Sequence, residues 1–185
     1  MRELIVTENI TLDGVIEATD WFDVADREGV DQSDLVAELR EQAAASDAVL
    51  FGRVTFEQMR GYWPNRTDDT SGVTDHLNKV TKYVVSRSLR EPEWDNTVIL
   101  RGPLAEEIAA IKAAPGRDIV ATGSIRLVRA LVAADLVDEY RLFVYPVVLG
   151  AGERLFADAP RLPALRLVET RPFRSGVVLL RYRRR

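Results

Sequence analysis

Residues 118–156, DIVATGSIRLVRALVAADLVDEYRLFVYPVVLGAGERLF, contain two changes of hydrophobic period within one short stretch. Ile119, Val120 and Ala121 form an apolar run that ends at Thr122-Gly123-Ser124. Ile125, Leu127, Val128, Leu131 and Val132 then recur at helical spacing. Glu139 to Val148 follows as a second strand, rich in strand formers at Leu142, Val144 and Tyr145, until Gly150-Ala151-Gly152 breaks it. Strand, turn, helix and strand in this order make a right-handed crossover. The turn then lies at the carboxyl end of a buried strand and the amino end of a helix. Such helix ends present unpaired N–H groups and a partial positive charge, which suit phosphates. A glycine that only lets the chain turn tightly explains a single such corner equally well.

A second copy lies upstream. Ala48-Val49-Leu50-Phe51 is an apolar strand, Gly52-Arg53-Val54-Thr55 is its turn, and Phe56 to Met59 begins a short helix. The Arg53 guanidinium and Thr55 hydroxyl flank the N–H groups of that helix start, a set that fits a pyrophosphate or a ribose phosphate. Structural arginines also occupy corners of this kind.

The totals narrow the alternatives. A chain of 185 residues without cysteine suits one domain, 1–185, with no disulfide, thiolate metal site or cysteine nucleophile. The single histidine, His76, rules out a histidine-rich zinc centre and reads as a surface or loop residue. A net charge of −4 argues against a general nucleic-acid binder, although Arg181, Arg183, Arg184 and Arg185 make the end locally basic. No apolar run approaches the roughly 20 residues of a membrane helix. The opening MRELIVTENITL has no signal-peptide pattern, so a cytoplasmic location is the expectation.

The remaining segments fall into place around the two corners. Glu3 to Asn9 reads as a first strand, and Thr11-Leu12-Asp13-Gly14 as a turn that either simply reverses the chain or lies over a ligand. Trp21-Phe22 interrupts an acidic loop. Ser33 is expected to cap a helix over 34–45, with Asp34 in its first turn, where it complements the helix dipole. Residues 82–86 form another buried strand, closed by Ser86-Arg87-Ser88, a cluster suited to a phosphate on a ribose 2′-oxygen. A capped loop with a solvated arginine is the plainer reading. Thr97 to Leu100 is a short strand, and Leu104 to Ala114 a helix stopped by Pro115-Gly116. A polar connection through Pro160 and Pro163 leads to strands at 165–173 and 177–182, joined by Arg174-Ser175-Gly176. That hairpin places antiparallel pairing at one edge of a mostly parallel sheet, a candidate seam for a homodimer.

With these residues in view, the chain resembles the dihydrofolate reductase superfamily. The likeness is to small single-domain relatives of the carboxyl-terminal reductase domain of the bifunctional riboflavin-biosynthesis deaminase/reductase. The matching stretches are TLDGVI at 11–16, DAVLFGRVTFEQM at 47–59, KYVVSRSL at 82–89, DIVATGSIRLVRALVAADLVDEYRL at 118–142, PVVLGAGERLF at 146–156 and GVVLLRY at 176–182. The resemblance implies an α/β fold with a central, mostly parallel sheet of about eight strands, flanking helices and a carboxyl-terminal antiparallel hairpin. It implies NADPH across the carboxyl ends of the strands, with Gly52, Arg53, Val54 and Thr55 at the pyrophosphate. Ser86, Arg87 and Ser88 fall at the adenosine 2′-phosphate, Thr122, Gly123, Ser124 and Ile125 on the other side of the pyrophosphate, and Ile16 toward the nicotinamide. Two positions depart from the pattern. Thr122-Gly123 stands where relatives usually carry two glycines, and Ala18 to Asp23 replaces the Leu-Pro-Trp-like loop of true dihydrofolate reductases.

The implied activity is hydride transfer from NADPH to a small pterin- or pyrimidine-like heterocycle, or to another conjugated acceptor. Asp13, Asp34 or an ordered water is the expected proton source, and Asp34 needs a pKa raised by burial to serve near neutral pH. The alternatives are a dimeric module on the same fold that binds a nucleotide or effector without turnover, and a flavin-binding carrier.

Overall fold

The computed structural model describes residues 1–17, 30–157 and 164–185. The loop at 18–23, Trp21-Phe22 included, and Pro160 and Pro163 lie outside the described residues.

One eight-stranded sheet runs in the order β4-β3-β2-β5-β1-β6-β8-β7. Its members are β1 (Leu4–Thr11), β2 (Ser46–Gly52), β3 (Thr81–Val85), β4 (Thr97–Leu100), β5 (Asp118–Ala121), β6 (Glu139–Tyr145), β7 (Leu165–Pro172) and β8 (Val178–Arg184). The strands from β4 to β6 pair in parallel, while β8 pairs antiparallel with β6 and β7 with β8. β5 and β6 both pair with β1, so the crossover read in residues 118–145 passes over that central strand. This is the expected α/β architecture with its terminal hairpin. β6 stops at Tyr145, before the expected Val148, because Pro146 has no N–H to give the ladder.

The helices are α1 (Ser33–Ala45), α2 (Arg53–Tyr62), α3 (Val73–Lys79), α4 (Leu104–Ala113) and α5 (Ile125–Ala133). Strand alternation divides the core between two faces. Leu4, Val6, Ile10, Leu50 and Tyr140 pack with Ile108 and Ile111 of α4 and with Leu127, Val128, Leu131 and Val132 of α5. On the opposite face, Val49 and Phe51 meet Phe56 of α2 and Leu77 of α3, and Phe143 meets Leu35 of α1. Each such fully buried side chain contributes roughly 1.5–3 kcal/mol. α1 does not begin with a serine cap. Gln32 is its cap residue, and Asp31 Oδ1 accepts the Ser33 N–H at 2.9 Å.

The basic carboxyl terminus is engaged internally. Glu139 is fully buried on β6 and accepts hydrogen bonds from Arg141 at 2.7 Å, Arg181 at 2.9 Å and Arg183 at 2.8 Å. Burial acts most strongly on its carboxyl and pushes the pKa up, but these guanidinium bonds together hold it below the usual carboxylate value. Arg184 pairs with Asp135 at 2.5 Å. No helix among the described residues is long and apolar enough to cross a membrane.

Candidate active site

β2 and β5 are parallel neighbours with Leu50 opposite Ala121, so both run out at the same edge of the sheet. Each passes through a tight turn into a helix, β2 through Gly52 into α2 and β5 through Thr122-Gly123-Ser124 into α5. The corners touch. The Gly52 N–H donates to the Gly123 carbonyl at 3.3 Å. A methyl group on Gly52 would stand 2.1 Å from Ser124 Oγ, and one on Gly123 would stand 3.0 Å from Thr55 Oγ1. Gly123 also holds φ +98°, a conformation that side chains oppose. Neither helix start carries a side-chain cap, so two sets of first-turn amides emerge side by side. Their dipoles favour an anion lying across both.

Cations line the same edge. β3 pairs with β2, Val85 opposite Gly52, and β4 with β3, Leu100 opposite Val85. Arg53, Arg87 and Arg101 therefore follow the ends of adjacent strands. Arg53 is exposed and pairs with Glu57 one turn along α2 at 2.9 Å. Val54 is also exposed, and Thr55 is half-buried against Gly123. Ser86 is buried, and its Oγ accepts the N–H groups of Ser88 at 3.2 Å and Leu89 at 2.9 Å, so it shapes the loop that presents Arg87 and Ser88. Arg101 was not among the sequence-derived candidates. It donates to the Arg87 carbonyl at 3.1 Å and the Leu89 carbonyl at 2.6 Å, bracing this loop. Its role depends on β4 lying beside β3, which local sequence pattern does not give.

Beside the corners, on the face covered by α1, α2 and α3, lies a cavity of about 290 Å³. Phe51, Met59, Trp63, Val120, Phe143 and Leu77 supply most of its wall, with Thr7, Asn9, Gln42, Ser46, His76 and Thr122 as polar members. Thr122 belongs to both the cavity wall and the β5 corner, so the two spaces adjoin. Thr7 Oγ1 is buried with no hydrogen-bond partner, a state that costs about 1–3 kcal/mol unless something polar meets it. His76, expected at the surface, is half-buried in this wall. Burial, and then the charges of Arg117 and Lys82, lower its pKa below the ordinary histidine value. Sequence pattern could not place it, because a lone histidine on a short polar helix has no periodicity that separates wall from surface.

The two aspartates expected to supply a proton stand elsewhere. Asp13 Oδ1 accepts the Thr11 hydroxyl at 2.7 Å and the Leu149 N–H at 3.3 Å, and Oδ2 accepts the Gly150 N–H at 2.9 Å. The Thr11 bond foremost, and then the Gly150 amide, pull its pKa down to about 2. These bonds favour the charged form of the carboxyl. Its part is to clasp the turn at 11–17 to the segment at 147–155, where Ile16 N–H also donates to the Glu153 carbonyl at 2.9 Å. Ile16 itself is buried in the core cluster with Ile10 and Leu155. Asp34 accepts the Leu35 N–H at 2.9 Å and the Arg174 N–H at 3.0 Å, tying the start of α1 to the terminal hairpin. α1 reaches the cavity through Leu39, Gln42 and Ala43, one to two turns further on.

Residues 2–179 match the family model of the RibD C-terminal domain. The chain is 34% identical over 187 residues to the uncharacterized protein YyaP of Bacillus subtilis (strain 168), covering 98% of this chain and 94% of that protein. Its fold is similar to that of a diaminohydroxyphosphoribosylaminopyrimidine deaminase/5-amino-6-(5-phosphoribosylamino)uracil reductase from Thermotoga maritima. That likeness has a TM-score of 0.66 at 16% identity and covers 100% of this chain and 57% of the other. It is also similar to dihydrofolate reductase from Enterococcus faecalis complexed with NADP(H), with a TM-score of 0.62 at 16% identity over 98% of this chain and 96% of that one.

Proposed function

The chain belongs to the RibD C-terminal domain family, and from that premise we propose that it is an NADPH-dependent reductase acting on a small heterocyclic or other conjugated acceptor. The observation that carries this reading is the contact of two uncapped helix starts, Gly52 against Ser124, beside an apolar cavity that shares Thr122 with one of them. The donor set fits a dinucleotide. First-turn amides of α2 and α5 and the Thr55 hydroxyl suit the diphosphate, and Arg53, Arg87 and Ser88 suit the remaining phosphate and ribose oxygens.

When bound, the nicotinamide cofactor supplies the hydride. The acceptor ring then lies against Phe51, Trp63 and Phe143, with Val120 and Thr122 closing the wall toward the β5 corner. Excluding water there strengthens the hydrogen bonds that orient the ring. With Asp13 and Asp34 engaged elsewhere, the proton that completes reduction is delivered by solvent through the open side of the cavity. The test is calorimetric titration with NADPH, followed by absorbance assays of NADPH oxidation over pterins, pyrimidines and quinones. An absence of NADPH binding ends the proposal.

A second reading, a non-catalytic dimeric binding module, is favoured by one observation: no carboxyl group is found in the cavity wall among the described residues. NADPH that binds without oxidation across the acceptor panel selects it. Either reading includes a single domain over 1–185 and a homodimer through β7, whose Leu167 and Val168 are 49% and 42% exposed. Sedimentation tests the dimer directly.

A further inference from the structure

The cavity holds an imidazole that the reductase reading leaves unused. His76 is carried by α3 into a wall that also contains Thr7 of β1 and Gln42 of α1. No hydrogen bond to its ring is found among the described residues, and Thr7 Oγ1 in the same wall is buried and unpartnered. Gln42 presents a third polar group. Its Nε2 donates to Glu38 Oε1 at 2.6 Å, and the other Glu38 oxygen takes the Arg171 guanidinium. With the amide nitrogen of Gln42 turned to Glu38, its carbonyl oxygen is left available. Thr7 Oγ1 is the fully buried one of the three, and His76 and Gln42 are half-buried. Buried polar groups are almost always satisfied, so Thr7 marks a place where a polar atom entering the cavity is met.

We propose that His76 is a substrate-positioning residue: its imidazole hydrogen-bonds the polar edge of a flat, uncharged ring lying against Phe51, Trp63 and Phe143, and selects acceptors with a ring N–H or C=O at that point. This rests on the reading of the cavity as the acceptor side of a reductase. The apolar and aromatic wall suits a planar ring. The cations whose charge acts on the imidazole are Arg117 and Lys82. Lys82 Nζ donates to the carbonyls of Leu77 at 2.6 Å and Val80 at 2.9 Å, and Arg117 donates to the Ser46 carbonyl at 3.3 Å, so both are held by backbone oxygens. They favour the uncharged imidazole, which donates through one nitrogen and accepts through the other.

His76 is the sole histidine of the chain, so protein labelled with ¹³C at histidine Cε1 gives one imidazole signal. Lumazine and menadione serve as ring probes with a polar edge, and toluene as a ring without one. The expected result is a saturable shift of the signal with lumazine or menadione and none with toluene. His76→Phe should weaken lumazine binding at least ~10-fold by calorimetry, and His76→Gln should recover it to within ~3-fold. If lumazine supports NADPH oxidation, His76→Phe should raise KM with little change in kcat. Unchanged affinity in His76→Phe, a silent signal while calorimetry shows binding, or no binding of any probe at millimolar concentration overturns the proposal. The two readings fail separately. Oxidation of NADPH at unchanged KM in His76→Phe removes His76 alone, whereas probes that bind through His76 to a chain indifferent to NADPH remove the reductase reading alone.

Discussion

Gly52 and Ser124 belong to segments far apart in the chain, yet a Cβ on Gly52 would come within 2.1 Å of Ser124 Oγ and 3.0 Å of Ser124 Cβ. The Oγ can rotate away, but the Cβ is fixed to the backbone at the start of α5. Gly52→Ala should therefore push the corners apart, costing about 1–3 kcal/mol of stability as overpacking and most of the NADPH affinity. Combining it with Ser124→Ala relieves the Oγ overlap and should recover part of the stability in a double-mutant cycle. Strict additivity in urea unfolding would show that the contact does not couple the corners.

Arg53 is exposed and bound to Glu57 within its own helix. Arg53→Ala should weaken NADPH binding roughly 10- to 100-fold through loss of a charge-assisted bond. Glu57→Gln, which frees the guanidinium, should leave affinity unchanged or slightly tighter. Equal affinities for wild type and Arg53→Ala in calorimetry would take Arg53 out of the site.

Asp13 holds two loops together through the amides of Leu149 and Gly150. Because its folded pKa is lowered from 3.8 to about 2, the stabilisation is fully present above the unfolded value and is lost as pH falls through about 2. Asp13→Asn should speed hydrogen exchange at Leu149 and Gly150 at pH 7 while the amides of β5 stay protected. Unaltered exchange at those two positions would mean that the backbone contacts alone close the clasp.

Glu8 is buried on β1, its Oε1 has no partner, and burial pushes its pKa from 4.5 to about 8. The folded state thus holds a proton that the unfolded chain releases. Its contribution is fully present below pH 4.5 and falls as pH rises through about 8. The swing is on the order of 3–5 kcal/mol, since each pKa unit corresponds to about 1.4 kcal/mol. Glu8→Gln keeps the shape of the protonated acid, so urea unfolding should show near-equal stabilities at pH 5 and a clear advantage for the variant at pH 9. Parallel pH profiles for the two proteins would place a counter-charge beside Glu8.

Local pattern carried a large part of the fold. Apolar runs closed by Gly52 and by Gly123, and the helical spacing from Ile125 to Val132, are properties of short segments, and the structure places β2, β5 and α5 where those segments read. The terminal hairpin was legible for the same reason, through Arg174-Ser175-Gly176 between two strand-forming runs. Period and turn chemistry act over a few residues, so one chain suffices to read them.

What the amino-acid order by itself determined was therefore the set of elements and the two corners where they turn. Tertiary structure alone decided which side chains meet. It sent Asp13 to the amides of Leu149 and Gly150, drew Asp34 to Arg174, carried His76 into the cavity wall and set Arg101 over the 87–89 loop. The physical reason is range. An aspartate in a turn has the same neighbours in sequence whether it faces a ligand or a distant loop, and only packing across the sheet brings the group that settles its charge.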